Sequence, residues 1–285
     1  AGTVAGSCRR LRHQQGGEAL LRGPGFRVDY PRWFDNEIDL DRVEGDISWQ
    51  REGNGWGIYM EKLALENPDV RATGTVHIAT SPDWPKPQMT MELLVPQADM
   101  AKVPHYLPYG IIPDKSEDWL RNAFVSGTGQ NGVVRFEGEL KKQAVRDEDV
   151  LFTVDVEADN ARLHYRDDWP DVTGLAGTVR FKNAGFSAVI HEGQISGAEI
   201  VDGTVGIEDF FRSRLKLDAQ ALGAIPYYFR FLRQSGLANE GLSRFLQQVE
   251  TDGDARLALQ LDIPLSKQID DEMSLNGTVT LNGAR

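Results

Sequence analysis

The chain of 285 residues has a single cysteine, Cys8, so an internal disulfide is impossible and no cysteine cage can hold a metal. The residues before Cys8 are too few and too polar for a lipid-attachment signal, which leaves a free or buried thiol. No run approaches the roughly 20 apolar residues that a membrane-spanning helix needs. Positive charge is scarce too: 31 Lys and Arg stand against 43 Asp and Glu, a formal net charge of -12. No basic cluster is large enough to reverse that locally, so phosphate backbones are repelled and nucleic acid is not an expected partner.

Chemical constellations are missing as well. The histidines His13, His77, His105, His164 and His191 show neither paired metal-ligand spacing nor a neighbouring nucleophile motif. His77, His164 and His191 fall on or near strands, where they read as surface residues. The acid pairs Asp167-Asp168, Glu208-Asp209 and Asp270-Asp271 sit beside turns, and adjacent acids on one strand point to opposite faces. "RDEDV", around Asp147 to Asp149, lacks the alternating oxygen ligands and the glycine of a calcium loop. A Walker loop, a dinucleotide fingerprint and a Gly-x-Ser-x-Gly elbow are all absent. The expectation is a protein that is not an enzyme, with no catalytic residue, metal or cofactor.

What the chain has in abundance is a period of two. "VLFTVDVEA" puts Val150, Phe152, Val154, Val156 and Ala158 on one face. "RLKLDAQA" alternates Leu215, Leu217, Ala219 and Ala221 with Lys216, Asp218 and Gln220, and "ARLALQLDIPL" sets Leu257, Leu259, Leu261 and Ile263 against Arg256, Gln260 and Asp262. Such runs are half-buried, antiparallel strands with one wet face. Further strands are expected from Glu37 to Trp49, Gly57 to Leu65, Val70 to Ala79, Met89 to Val95, Val133 to Leu140, Ala161 to Tyr165, and in pieces from Val172 to Ile207. The first 30 residues read as irregular.

Two stretches read as helical. In "SEDWLRNAF", Ser116 is the expected N-cap, with Trp119, Leu120, Ala123 and Phe124 on one side. In "AIPYYFRFLRQSGL", Pro226 suits a first helical position and Gly236 a stop. A second apolar stripe follows at Leu242, Phe245, Leu246 and Val249. The aromatic run Tyr227 to Phe231 fits either an interfacial membrane helix or a short helix capping one end of a sheet.

One pattern recurs: "ATGTVHI", "LAGTVRF", "VDGTVGI" and "LNGTVTL" carry Gly74, Gly177, Gly203 and Gly277, and "VEGDISW" repeats the spacing at Gly45. Each glycine shares the apolar parity of its strand, while Thr75, Thr178, Thr204 and Thr278 take the polar parity. Glycine weakens a strand interior, so on the apolar side it marks a bend, a bulge or a close approach. The unequal spacings rule out a fixed-period solenoid. From periodicity alone, the apolar faces suit either the dry core of a closed β-sandwich that serves as a scaffold or interaction domain, or a ligand groove.

The order of landmarks adds a family. "YLPYGIIPDKSEDWLRNAFVSG", the strands from Phe152 to Ile200, the helical "YYFRFLRQSG" and "LALQLDIPL", with Tyr165, Trp169, Pro170, Gly177 and Pro264 in place, resemble the AsmA-like envelope proteins of the YhdP type from Gram-negative bacteria. "FDNEIDLDRVEGDISWQREGNGWGIYMEKLAL" is similar to another segment of the same family, and "QSGL" departs from the Ser-Pro-Leu that relatives carry. The chain opens on Ala1 rather than Met and stops at Arg285 just after a strand-like run, so it reads as a piece of something longer.

The resemblance implies a mainly β fold: a long, highly curved antiparallel sheet forming an open apolar groove, with two or three short helices. Residues 31–285 would form the groove region, with a sub-boundary near 97–130. The implied role is a segment of a periplasmic, bridge-like carrier that shields phospholipid acyl chains between inner and outer membranes. The full-length protein would be anchored in the inner membrane by an N-terminal helix absent here, and would meet membrane proteins at both ends through parts absent here. Groove lining would come from Val150, Phe152, Val154, Val156, Leu163, Val179, Phe181, Val205, Ile207, Leu215, Leu217, Leu257, Leu259, Leu261, Ile263, Val279 and Leu281. Gly45, Gly74, Gly177, Gly203 and Gly277 would sit where the groove bends.

Overall fold

A computed structural model describes residues 16–29, 34–107, 109, 114–141, 144–146, 148–210, 214–235, 240–241, 244, 246, 252–264 and 274–282. Cys8, His13, Gly236, Leu242, Phe245, Val249, Asp270 and Asp271 lie outside them. Among the described residues the architecture is one sheet of 13 strands whose spatial order is the chain order, from β1 to β13 without closure. The strands are β1 (Gly16–Val28), β2 (Ile38–Glu52), β3 (Gly55–Glu66), β4 (Val70–Thr80), β5 (Gln88–Asp99), β6 (Phe124–Glu139), β7 (Leu151–Leu163), β8 (Val172–Lys182), β9 (Gly185–Ile195), β10 (Ala198–Ile207), β11 (Arg214–Ala224), β12 (Asp254–Pro264) and β13 (Ser274–Asn282). The helices α1 (Val103–Tyr106) and α2 (Asp114–Ala123) follow β5, and α3 (Ile225–Gln234) follows β11. Where registers are fixed, from β1 to β5 and from β9 to β13, every pair is antiparallel.

Backbone contacts divide the chain into two compact units. The first holds residues up to 117 with 129–156 and 181–184; the second holds 118–128, 157–180 and 185–285. In the first unit, Met89, Phe136, Ala144, Val145, Val150 and Phe152 form one buried cluster, and Ile38, Leu40, Val43 and Leu63 form another. In the second, Val172, Ile190 and Ile200 are buried with Tyr165 and Leu175 packed on them.

Three sequence expectations change. Residues 16–28, read as irregular, form β1; its glycines and Pro24 hide the alternation of Ala19, Leu21 and Gly23 with Glu18, Leu20 and Arg22. The separate runs ending at Ala158 and beginning at Ala161 are one strand, β7. Helix α2 starts at Asp114, so Ser116 lies within it rather than capping it.

Most strands contain a fault that sequence parity does not anticipate. Two consecutive exposed residues interrupt the alternation at Pro24-Gly25 in β1, Asp41-Arg42 in β2, Glu61-Lys62 in β3, Pro96-Gln97 in β5, Gln130-Asn131 in β6, Asp159-Asn160 in β7, Thr173-Gly174 in β8 and His191-Glu192 in β9. More buried residues flank each pair, such as Ala158 and Ala161 in β7. The second residue is left-handed at Gly25, Lys62, Asn131, Asn160 and Gly174, with φ from 47° to 71°. These are β-bulges: an extra residue bends the strand and moves the apolar set from one number parity to the other while keeping it on one face. Registers agree. Strand β4 has no such pair and slips against both neighbours, between Met60 and Leu63 on one side and between Arg71 and Thr73 on the other. Bulged β1 and β2 run in step.

Asn183, in the turn between β8 and β9, anchors the start of β7. Its amide Nδ2 donates to the Val150 carbonyl at 2.8 Å, its Oδ1 accepts from the Phe152 amide at 2.8 Å, and its own amide donates to the Phe152 carbonyl at 2.8 Å. Its φ of 50° suits asparagine better than alanine. Asn183→Ala is expected to destabilise the protein by about 2 kcal/mol in urea unfolding, because a donor and an acceptor on β7 lose their partner.

Candidate functional site

The second unit carries a lattice of apolar side chains set by register. Residues directly opposite each other in antiparallel strands share a face. One row runs Ala188, Val205, Leu217, Leu261, Leu275; the next runs Phe186, Ile207, Leu215, Ile263. Two more run Ile190, Gly203, Ala219, Leu259, Gly277 and Ile200, Ala221, Leu257, Val279. Leu281 faces Ala255. The rows between them are polar, for instance Lys216 with Asp262 and Asp218 with Gln260, and form the opposite face. Ion pairs and hydrogen bonds lace that face: Lys216 to Glu208 at 2.6 Å, Arg214 to Asp262 at 2.8 Å, and Gln260 Nε2 to Asp218 at 2.8 Å.

The apolar lattice is not sealed. Ile207 and Leu261 are buried, but Val205, Leu215, Leu217, Leu257, Leu259 and Ile263 remain half-buried. On β13, which among the described strands has a partner on one side only, Leu275, Val279 and Leu281 are 50%, 57% and 56% exposed. A closed core places such residues below a tenth of their accessible surface. The first unit has a similar lattice that sequence parity did not single out: Trp49, Ile58, Ile78, Met89 in one row and Ile47, Met60, Val76, Met91 in another. Its signal lay in "DISWQ" and "GIYM", and the bulge at Glu61-Lys62 breaks the parity between Ile58 and Met60 and the later Leu63 and Leu65 of the same strand.

The remaining groove residues divide. Val150 and Phe152 are buried in the first unit's cluster, with Val154 packed on it, so protein surrounds them. Val156 lies beside Gly129. Leu163 is half-buried near the end of β7, brought to the inner parity by the bulge at Asn160, and Val179 and Phe181 are half-buried on β8.

The motif glycines are not alike. A Cβ added at Gly74 would strike the Glu92 carbonyl, and one at Gly177 the Val189 carbonyl, each on the adjacent strand's backbone. At Gly203 it would meet Ala219 Cβ at 3.1 Å, at Gly45 Leu63 Cα at 3.4 Å, and at Gly277 nothing nearer than 3.8 Å. Thr75, Thr178, Thr204 and Thr278 are exposed. Gly177→Ala is therefore expected to cost about 1–3 kcal/mol by overpacking, and Gly277→Ala to be neutral or stabilising by up to about 1 kcal/mol. Urea unfolding of the two single variants checks the contrast.

Polar groups form surface networks. Among the described residues no group of His, Cys, Asp and Glu has the proximity to hold a metal ion. His77 stacks on Tyr59 with centroids 4.3 Å apart, its Nε2 buried without a hydrogen-bond partner. The Tyr59 hydroxyl donates to Glu52, which lowers the carboxyl pKa and raises that of the phenol. His164, between β7 and β8, faces Asp171 at 2.8 Å and Asp167 at 3.3 Å, and Arg162 Nε donates to the other Asp171 oxygen at 2.6 Å.

These carboxylates raise the His164 pKa, Asp171 foremost, and His164 in turn holds Asp171 below its ordinary value. Because the folded pKa of His164 exceeds 6.5, its stabilising charge is fully present below that pH and lost as pH rises through the folded value. The Asp171 contribution is present above pH 3.8 and lost on acidification through its lowered value. Thermal melts are expected to fall from about pH 6 to about pH 8 in the wild type and to flatten over that window in His164→Gln.

Each unit closes a strand end with a tyrosine-bearing helix. After β5, the "VPHY" of α1 brings the Tyr106 hydroxyl to Asn67 Nδ2 at 2.8 Å and Asp69 Oδ2 at 3.0 Å, and burial pushes its pKa up to about 12. After β11, the "IPYY" of α3 places the Tyr228 hydroxyl 3.0 Å from the Ala221 carbonyl and 2.9 Å from that of Ala255, bridging β11 and β12. Of the two readings of the aromatic run, the sheet-end cap is the one seen. Leu246, on a helical residue, is buried.

The geometry thus defines an open, two-faced β-sheet protein whose conspicuous surface is a half-open apolar lattice. Its membership is specific: the chain belongs to the YhdP protein family, whose model matches residues 11–285. It is 23% identical over 255 residues to the intermembrane phospholipid transporter YhdP of Escherichia coli (strain K12), covering 90% of this chain and 20% of that protein. The chain therefore spans about a fifth of that relative's length. No solved structure matches it.

Proposed function

We propose that this chain is a segment of a bridge that carries phospholipids through the periplasm between inner and outer membranes, acyl chains shielded on the apolar sheet face. The observation that carries the reading is the lattice of β9 to β13: four register-matched apolar rows that stay partly open to solvent. Water opposes the movement of a bare acyl chain at about 0.8 kcal/mol per CH₂, on the order of 10 kcal/mol for a 16-carbon chain. A continuous apolar face removes most of that barrier without binding tightly at any one place. Headgroups remain in water, so the face needs no polar constellation and no reaction takes place. In this reading the inner-membrane anchor and the membrane partners belong to other parts of the full-length protein, and Gly74 and Gly177 let neighbouring strands approach closely.

Phospholipid is expected to co-purify with the protein and to be seen by mass spectrometry of an organic extract. Leu259→Asp on the apolar lattice is expected to abolish that lipid and block transport with the fold retained, while Lys216→Asp on the polar face leaves both unchanged. A lipid-free wild type, or a Leu259→Asp protein that unfolds as a buried unpaired charge demands, would instead favour a dry core and a scaffolding role.

A further inference from the structure

In the second unit, one end of the apolar lattice is rimmed by arginines without carboxylate partners. Arg166, Arg230 and Arg233 are exposed and have no ion pair among the described residues, whereas Arg162, Arg214 and Arg244 of the same unit are each paired with an acid. In an acidic chain, three unneutralised guanidinium groups at one end of a sheet make a local exception. Two of them lie on an aromatic cluster: Arg166 lies 5.6 Å from the Trp169 ring centre, Arg230 lies 5.5 Å from that of Tyr227, and Phe231 meets Trp169 edge to face at 5.4 Å; Arg233 follows Arg230 by three residues on α3.

Topology brings these residues together. The β7–β8 connection supplies Arg166 and Trp169, the β9–β10 turn supplies Ser196, and α3 supplies the rest; all lie at the same end of the antiparallel strands. Arg230 donates to the Ser196 carbonyl at 3.4 Å. The cluster sits on the apolar side. Gly223 has the parity of Ala221 and Ala219, and a Cβ there would meet the Tyr227 ring at 3.1 Å. Tyr165, edge to face with Trp169 at 5.7 Å, packs against the cluster of Val172, Ile190 and Ile200, two of which belong to the lattice.

We propose that Arg166, Arg230 and Arg233 bind the phosphodiester of an anionic phospholipid whose acyl chains lie on the adjoining apolar rows. Guanidinium presents paired donors that match phosphate oxygens, and its stacking on Tyr227 and Trp169 holds it ready without a competing carboxylate. Asp167 is engaged by His164, and Asp168, Glu199 and Asp254 are further acids at this end of the strands. Polar rim and greasy face together complement an amphipathic molecule, charge to charge and chain to chain. The site rests on the lipid-carrying reading above and adds headgroup selectivity to it.

The test compares the purified wild type with R166Q/R230Q/R233Q and with R42Q/R71Q/R135Q, which removes the same formal charge from three ion-paired arginines. Each is titrated with phosphatidylglycerol and with diacylglycerol, which has the same chains and no phosphate. The expected result is at least a roughly tenfold loss of phosphatidylglycerol affinity in the first variant alone, with diacylglycerol binding unchanged in all three. Equal weakening in both variants, equal loss of both lipids in the first variant, or displacement of phosphatidylglycerol by a similar concentration of inorganic phosphate would overturn the headgroup site. A wild type that takes up diacylglycerol but gains nothing from the phosphate overturns this site only. A wild type that binds neither lipid overturns the apolar-face reading and this site with it.

Discussion

Everything in this sheet depends on keeping one face apolar through strands that bend. Side chains alternate with a period of two, so one added residue would throw every later apolar side chain onto the wet face. The bulges at Glu61-Lys62, Gln130-Asn131 and Asp159-Asn160 absorb an extra residue outward and restore the apolar face beyond it. They also bend the strand and strengthen its twist. Left-handed asparagine costs less there than a branched residue would, which accounts for Asn131 and Asn160. Lys62 adopts the same backbone and its Nζ pairs with Asp46 at 2.9 Å.

Such a sheet is stabilised differently from a sandwich. Its ladder satisfies the backbone, and compact clusters such as Met89 with Phe136 and Phe152 seal parts of the first unit. In the second unit, the rows from β9 to β13 bury only part of most leucines and valines, Leu261 excepted, so those contribute less than the roughly 1.5–3 kcal/mol of a fully buried one. Surface ion pairs such as Arg135 with Glu92 add about 0–1 kcal/mol each. Stability given up on the apolar face is the same quantity that a bound hydrocarbon chain would supply. In the proposed role, partial burial is thus what leaves room for the chain that is carried.

Much of this was legible in the sequence because alternation is a local signal. "RLKLDAQA" and "ARLALQLDIPL" show their faces directly, and the registers only lay one on the other, Leu217 on Leu261 and Ala219 on Leu259. Illegible were features that depend on a neighbour. Gly177 and Gly277 share Gly-Thr-Val, but only Gly177 has a carbonyl of the next strand where a Cβ would go. Val150 and Phe152 alternate as cleanly as Leu257 and Leu259, but they are buried in one cluster with Met89, Phe136, Ala144 and Val145. Period two cannot say whether a face is roofed. The strand β1 was missed for a simpler reason: Gly16, Gly17, Gly23 and Gly25 lower its intrinsic strand preference, and pairing with β2 overrides it.

The helices are best understood through the ends of strands. A sheet whose strands follow chain order needs only tight turns, and the links β2–β3, β3–β4, β8–β9 and β9–β10 are short. Longer insertions follow β5 and β11, and the helices α1 and α3 within them each open on a β-branched residue and proline, Val103-Pro104 and Ile225-Pro226, with a tyrosine two residues further on. Proline fixes the first helical turn where its missing N–H costs nothing. The tyrosine hydroxyl then reaches polar groups at the ends of nearby strands, the Asn67-to-Val70 turn in one unit and the carbonyls of Ala221 and Ala255 in the other. Burial raises both phenol pKa values, so these groups stay protonated and neutral at physiological pH. A neutral phenol at the strand ends thus ties the ladder without adding a charge of its own.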